Sequence, residues 1–286
     1  TLDGDEGLRP YVLLAPHLGA TGADNLASVG RQGGRAVLRA QQGPFGLALA
    51  AADPGQNEAF GRLSAGYVGF SDGWQDFARN GRMAWSYAEA GPGNVALMGE
   101  LPRAAVLALG MGGTWQSAST LALSALHEPF GQVWAQHTAD WQTWHTACTR
   151  RQMATTEPLP DNLRGQVLVS AMTLRCHLDK TYPGAMVASL SVPWGNTRNE
   201  RGGYHLAWPR DLVECALAFL ALGTVEEARD TLRYLIATQQ EDGHWRSPSP
   251  ISGTRGSRNG RSRATARSAG PTASPPTSCA WPRTAS

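Results

Sequence analysis

The most constraining feature of this 286-residue chain is a change of period near residue 115. Before it, short apolar or alternating runs are punctuated by Gly, Pro, Asn and Asp. After it, apolar residues recur at helical spacing. Seven early runs read as strands: Tyr11–Ala15, Arg35–Ala40, Leu47–Ala52, Gly66–Phe70, Met83–Tyr87, Val95–Leu101 and Ala104–Leu109. Breakers such as Asp53-Pro54-Gly55 and Gly91-Pro92-Gly93-Asn94 separate them. Short strands at this spacing predict an antiparallel β-sandwich. Trp74, Phe77 and Trp85 are expected to fill its core, with a sugar platform as the alternative.

Two glycine patterns in this region resemble phosphate loops and fail as such. The run from Gly91 to Ala96 matches GxGxxA but precedes a strand-like run, so no helix N-terminus is there to receive a phosphate. The run from Gly110 to Gly113 reads as a turn. A nucleotide site is rejected.

The second half is helical. Leu121, Leu123 and Leu126 lead into an aromatic stripe of Trp134, His137, Trp141, Trp144 and His145. It reads as a linker helix laying its rings on the sandwich. Glu157-Pro158-Leu159-Pro160 breaks that helix and marks a domain boundary. Asp161 is placed to cap a helix with Leu163, Val167, Leu174 and Leu178 on one face. Asp211 is placed to cap another, with Leu212, Cys215, Ala216, Phe219 and Leu220 inward. Gly223 ends it, and Thr224 with Glu227 forms a capping box for a third helix burying Ala228, Leu232, Leu235 and Ile236.

Charge is unevenly distributed. Residues 246–286 hold seven Arg and no Lys, Asp or Glu; the rest of the chain has 18 basic against 23 acidic residues, a net of −5. That body offers no broad basic face for nucleic acid. The tail is Ser, Arg, Pro, Ala, Thr and Gly with almost no apolar periodicity, so it is expected to be disordered. A basic tail for nucleic acid is one reading of it, and an out-of-frame translation is the preferred one. No apolar run approaches the ~20 residues of a membrane span, and no signal peptide is visible. Cys148, Cys176, Cys215 and Cys279 have neither disulfide-framework nor metal spacing and are expected to be buried thiols.

Leading into the helix expected from Asp211 lies the densest chemistry, the ten residues Gly202-Gly203-Tyr204-His205-Leu206-Ala207-Trp208-Pro209-Arg210-Asp211. Aromatic faces stack on the C–H side of a pyranose, and charged groups bond its hydroxyls. An ordinary capped turn is the alternative. This stretch resembles the glucose-pocket segment of bacterial glucoamylases and glucodextranases of glycoside hydrolase family 15. The segment Ala188–Gly195, containing Trp194, is similar to the preceding pocket loop. Residues Gln239–Trp245 and Tyr11–Gly19 resemble two further stretches, in the family's order.

The resemblance implies an antiparallel β-sandwich followed by the first helices of an (α/α)6 toroid. It divides the chain into a sandwich at 1–116, linker helices at 117–158, a partial catalytic domain at 159–245 and the tail at 246–286. It implies an exo-acting, inverting hydrolase that releases glucose from non-reducing ends of α-glucans, in a periplasmic or secreted protein. Arg210 and Asp211 match the pair holding the terminal glucose, Tyr204 and Trp208 match pocket aromatics, and Trp194 matches the pocket rim. The family's two catalytic glutamates have no counterpart in residues 1–286, so no catalytic residue is assigned. The chain alone is expected to be inactive and poorly stable, as a truncated protein would be. No metal or cofactor is expected, nor a nucleic-acid or membrane partner. Asp211 is a poor general acid because the adjacent guanidinium favours its carboxylate form. Glu214 reads as helix surface, and Asp179, Glu200 and Glu241 show no partner in sequence. A non-catalytic carbohydrate-binding or scaffold protein is the competing reading.

Overall fold

A computed structural model describes residues 7–155, 160–190 and 207–245. The chain divides into two compact units, with the boundary in the described sequence between Trp144 and His145.

The first unit is built on eight strands. These are β1 (Tyr11–Leu14), β2 (Asn25–Gln32), β3 (Arg35–Gln42), β4 (Phe45–Ala52), β5 (Leu63–Tyr67), β6 (Glu89–Gly93), β7 (Val95–Glu100) and β8 (Val106–Gly112). One sheet has the order β1-β7-β5 and the other β6-β2-β3-β4-β8, all antiparallel. Register follows from alternation, because one face of each strand must be buried. In β3, Ala36, Leu38 and Ala40 point inward; in β4, Leu47, Leu49 and Ala51 do; in β7, Val95 and Leu97 do. Together they form the core between the sheets. The β2–β3 hairpin pairs Gln32 with Arg35 across Gly33 and Gly34, both at positive φ, as a tight two-residue turn demands.

The sequence misplaces several elements. β2 is read as no element, because its Leu26 is exposed and its buried Ala27 is small. Residues 110–112, expected as a turn, continue β8. The expected strand Met83–Tyr87 is irregular, and helix α1 (Gly73–Asn80) stands where no helix is expected. Two buried aspartates explain both. Asp72 caps α1 by accepting from the amides of Trp74 (2.8 Å) and Gln75 (3.0 Å). Asp76 accepts from the amides of Ala84 (2.9 Å) and Trp85 (2.8 Å) and from the Asn80 side chain (2.8 Å), pinning that loop to the helix. Trp74 is therefore not core: it is 67% exposed.

Helix α2 (Trp115–Ala125) packs on the outer face of the five-stranded sheet, where Val37, Ala48, Ala50, Ala52 and Ala108 meet Ala118, Ala122 and Leu126. The approach is close enough to require glycine. A β-carbon at Gly46 would stand 2.2 Å from the Thr114 carbonyl carbon, and one at Gly110 would stand 2.1 Å from the Ala118 oxygen. Helix α3 (Phe130–Thr155) carries the aromatic stripe as a ladder. Ring centroids are 6.5 Å apart for Phe130–Trp134, 6.1 Å for Trp134–His137, 6.4 Å for His137–Trp141 and 5.8 Å for Trp141–Trp144. The stripe is not buried along its length as expected: Trp144 is buried, whereas Trp134 is 60% exposed.

The second unit contains α4 (Asp161–Cys176), α5 (Pro209–Ala221) and α6 (Val225–Thr238). Its core gathers Ala185, Met186, Leu212, Phe219, Ala228 and Leu235. Expected caps are displaced. Asp161 is the first residue of α4 after Pro160, and Pro209 takes the first position of α5, moving Asp211 into its first turn. Thr224 precedes α6 but donates to the Phe219 carbonyl (3.0 Å) instead of capping. On α6 the buried set is Ala228, Thr231, Tyr234 and Leu235, while Leu232 and Ile236 are exposed; Leu220 of α5 is exposed too. Gly184 explains the shift: a β-carbon there would stand 2.0 Å from the Asp230 carbonyl oxygen, so a loop lies tightly on the helix beside small Thr231. Among the described cysteines Cys148 is buried, but Cys176 is exposed and Cys215 is half-buried.

Gly110→Ala is expected to cost ~1–3 kcal/mol, because backbone and not a movable side chain fills the space. Gly131→Ala in α3, where a β-carbon meets nothing within 4 Å, serves as control and is expected to be neutral or better. Denaturant midpoints followed by tryptophan fluorescence give both values.

The loop after α4 is organised by Asp179, which accepts from the amides of Thr181 (2.7 Å) and Tyr182 (2.8 Å). Burial pushes its carboxyl above the usual range, and these amides partly oppose the rise. A raised carboxyl pKa favours folding below the unfolded value and loses that contribution as pH climbs through the folded one. Asp179→Asn keeps the acceptor and removes the charge. It is therefore expected to gain stability relative to the parent between about pH 4 and neutrality. Asp179→Ala loses both bonds and should be destabilised by ~1–3 kcal/mol. Thermal melts across that range measure both effects.

Candidate functional site

Trp208 and Asp211 come together because a helix begins between them. Trp208 is extended (φ −111°, ψ 116°), Pro209 opens α5, and Asp211 lies in its first turn, where a carboxylate complements the helix dipole. Both line a cavity of about 240 Å³ with Thr173, Leu174, His177 and Cys215. Met186, Val187 and Leu212 make its remaining wall largely apolar. Among the described residues Asp211 is the only carboxylate in that lining.

Arg210 behaves differently from its expected partner. Its Nε lies 3.4 Å from the Asp211 carboxylate, but its side chain is 86% exposed and does not line the cavity. An ion pair so open to water contributes little to stability. The arginine is free to turn toward a ligand at the rim. Tyr204 and Trp194 lie outside the described residues, as does Glu200.

Two cavity residues were missed by sequence reasoning. His177 ends α4 with its Nδ1 2.7 Å from the Thr173 carbonyl oxygen, which leaves Nε2 as the ring's other polar atom. Cys215 was read only as a core thiol. Burial, and then the charges of Asp211 and Glu214, push its pKa up, so it stays a neutral thiol in the wall. The usable signal was spacing: Asp211 and Cys215 are four apart on one helix, and so are Thr173 and His177.

The remaining candidate acids are elsewhere. Asp179 is engaged by its loop amides, Glu214 is exposed on α5 as expected, and Glu241 is exposed. Among the described residues no group of three or more His, Cys, Asp or Glu could hold a metal ion. Nor is any helix among them long and apolar enough to cross a membrane.

The model for the N domain of glucodextranase matches residues 1–146, and that for glycosyl hydrolases family 15 matches residues 163–242. A glucoamylase of Clostridium sp. (strain G0005) is 27% identical over 243 residues, covering 82% of this chain and 32% of its own. A crystal structure of a bacterial glucoamylase complexed with acarbose superposes with a TM-score of 0.67 at 27% identity, covering 85% of this chain and 36% of that one. The chain thus spans about a third of these relatives' length. The architecture is that of their β-sandwich followed by helices of the (α/α)6 toroid. Sandwich and helices both match in the order the sequence motifs run, and the chain belongs to glycoside hydrolase family 15, in its bacterial glucoamylase and glucodextranase branch.

Proposed function

We propose that residues 159–245 contribute the glucose-holding part of an exo-acting, inverting glycoside hydrolase that takes α-glucans from their non-reducing ends. The observation that carries this reading is the meeting of Trp208 and Asp211 in one cavity at the start of α5. The indole supplies an apolar face for a pyranose, and the carboxylate accepts from sugar hydroxyls. Arg210 donates from the rim, with Tyr204 and Trp194 completing the set. Charged groups that grip the terminal sugar close the pocket beyond it, which is the physical basis of exo-action. Acarbose in the similar glucoamylase structure supports a glucan-like ligand.

Hydrolysis with inversion needs two carboxyl groups ~6.5–9.5 Å apart, one to protonate the leaving oxygen and one to activate water. Among the described residues Asp211 is the one carboxylate lining the cavity, a group suited to holding a sugar. In this reading 1–286 binds sugar without turnover, and the acid–base pair is supplied by glutamates outside this sequence. The domain division at 116, 158 and 245 belongs to the same reading.

Titration of 1–286 with acarbose is expected to show saturable binding that Asp211→Asn weakens ~10–100-fold, since hydrogen bonds to a charged group are worth ~1.5–3 kcal/mol. Affinity indifferent to Asp211→Asn would remove the pocket assignment. Glucose release from maltooligosaccharides and isomaltooligosaccharides should be absent for 1–286 and present for a longer chain carrying the family's glutamates. Turnover by 1–286 would require an acid–base pair inside it and overturn the division of labour.

A further inference from the structure

Helix α2 covers the outer face of the five-stranded sheet over β3, β4 and β8 and leaves β6, β2 and the near side of β3 open. Over that open half lies a trough of about 520 Å³, within the ~300–1,000 Å³ of small-molecule sites. Its floor carries a polar row. Glu89 on β6 faces Ser28 on β2, and Ser28 faces Arg39 on β3, so the three side chains project from one face. Trp115 and Tyr67 stand at its sides.

The row is built and not incidental. The Arg39 guanidinium lies 3.8 Å from the centroid of the Trp115 ring. Its Nε donates to the Ser28 hydroxyl oxygen at 2.9 Å. Beneath it is Gly30, where a β-carbon would stand 2.4 Å from Cζ, so only glycine lets the fork lie flat. Trp115 is itself fixed, its amide donating to Gln41 Oε1 at 2.7 Å. Burial lowers the Arg39 pKa, but an arginine stays a cation at neutral pH. The ring of Tyr67 is tethered twice to Gly91: its hydroxyl donates to the carbonyl and accepts from the amide, each at 3.0 Å.

This arrangement holds a fork of donors, a carboxylate and a fixed aromatic ring without letting them satisfy one another. Glu89 and Arg39 are separated by two strand spacings, about 10 Å at the backbone, and form no ion pair. Only Nε of Arg39 is used within the described residues, which leaves both Nη groups available. One positive and one negative group make the lining neutral, so a strongly anionic ligand meets Glu89 and a cationic one meets Arg39. Pro92 in edge strand β6 lacks the amide a paired peptide strand would need.

We propose that this trough is a second, non-catalytic carbohydrate site that takes a neutral oligosaccharide. One sugar ring lies on Tyr67, while Arg39 donates to hydroxyls and Glu89 accepts from them. The choice of an α-glucan as probe rests on the function proposed above; the site itself does not.

The experiment is calorimetric titration of the full 1–286 chain carrying Asp211→Asn, which weakens the other cavity, with maltoheptaose and separately with isomaltoheptaose. The expected result is saturable binding of at least one of them, weakened ~10-fold or more by Glu89→Gln and by Arg39→Gln. Glu89 is exposed and makes no side-chain bond among the described residues, so Glu89→Gln is expected to leave the fold intact and keeps the test decisive if Arg39→Gln unfolds. No saturable binding in the Asp211→Asn chain, or binding indifferent to Glu89→Gln, overturns the proposal. Failure of the pocket reading shows separately, as acarbose affinity that Asp211→Asn leaves unchanged.

Discussion

The first unit depends on the contact between α2 and the small-residue strip of the five-stranded sheet. Gly46, Ala48 and Ala50 on β4 and Ala108 and Gly110 on β8 present almost no side chain outward. A helix can therefore lie nearly on the backbone. Such contact removes water from both surfaces and gathers many weak dispersion contacts. It also decides what is left open. Trp115, the first residue of α2, is delivered to the border of the covered half, and there its ring receives the Arg39 guanidinium. The same packing that closes one half of the face thus furnishes the other.

Buried and half-buried carboxylates do comparable work where regular structure stops. Asp72 and Asp76 spend their lone pairs on backbone amides of α1 and the loop after it, and Asp179 does so for the loop after α4. An amide buried without a partner costs far more than a typical hydrogen bond contributes. These aspartates are structural for that reason, despite being the acids a search for catalysis first meets. Asp211 differs from them. It has no backbone amide among its recorded partners, only the exposed Arg210, and it lines a cavity.

What was legible in the sequence follows from which forces act locally. Alternation placed β1, β3, β4 and β7 because their buried residues are large or continuous. It failed at β2, whose inward Ala27 is small and whose Leu26 faces the trough. Helix α6 was recognised but rotated by one residue. Its large Leu232 and Ile236 suggested a buried stripe, yet the tight loop at Gly184 selects small Thr231 for the packed side. The motif proposed to hold glucose was legible as chemistry but not as geometry. Residue types marked Trp208 and Asp211, whereas His177 and Cys215 enter only through the packing of α4 against α5. The trough was invisible for a stronger reason: its residues span positions 26 to 115 and meet through sheet register, through β5 of the other sheet and through the start of α2.

The two arginines that carry the carbohydrate readings are prepared to different degrees. Arg39 is fixed before any ligand arrives, by a ring above, glycine below and a hydroxyl on Nε. Arg210 is held by one exposed carboxylate contact and must be ordered on binding. Ordering a side chain of that length costs roughly 0.5–1.5 kcal/mol. In the proposed pocket that cost would be offset by the strength of a charged pair on a single sugar, which suits selection of a chain end. The trough avoids the cost but offers separated, already solvated groups, which suits holding any part of a chain loosely. A fixed guanidinium therefore argues for retention of polymer, and a free one for recognition that tightens as the ligand seats.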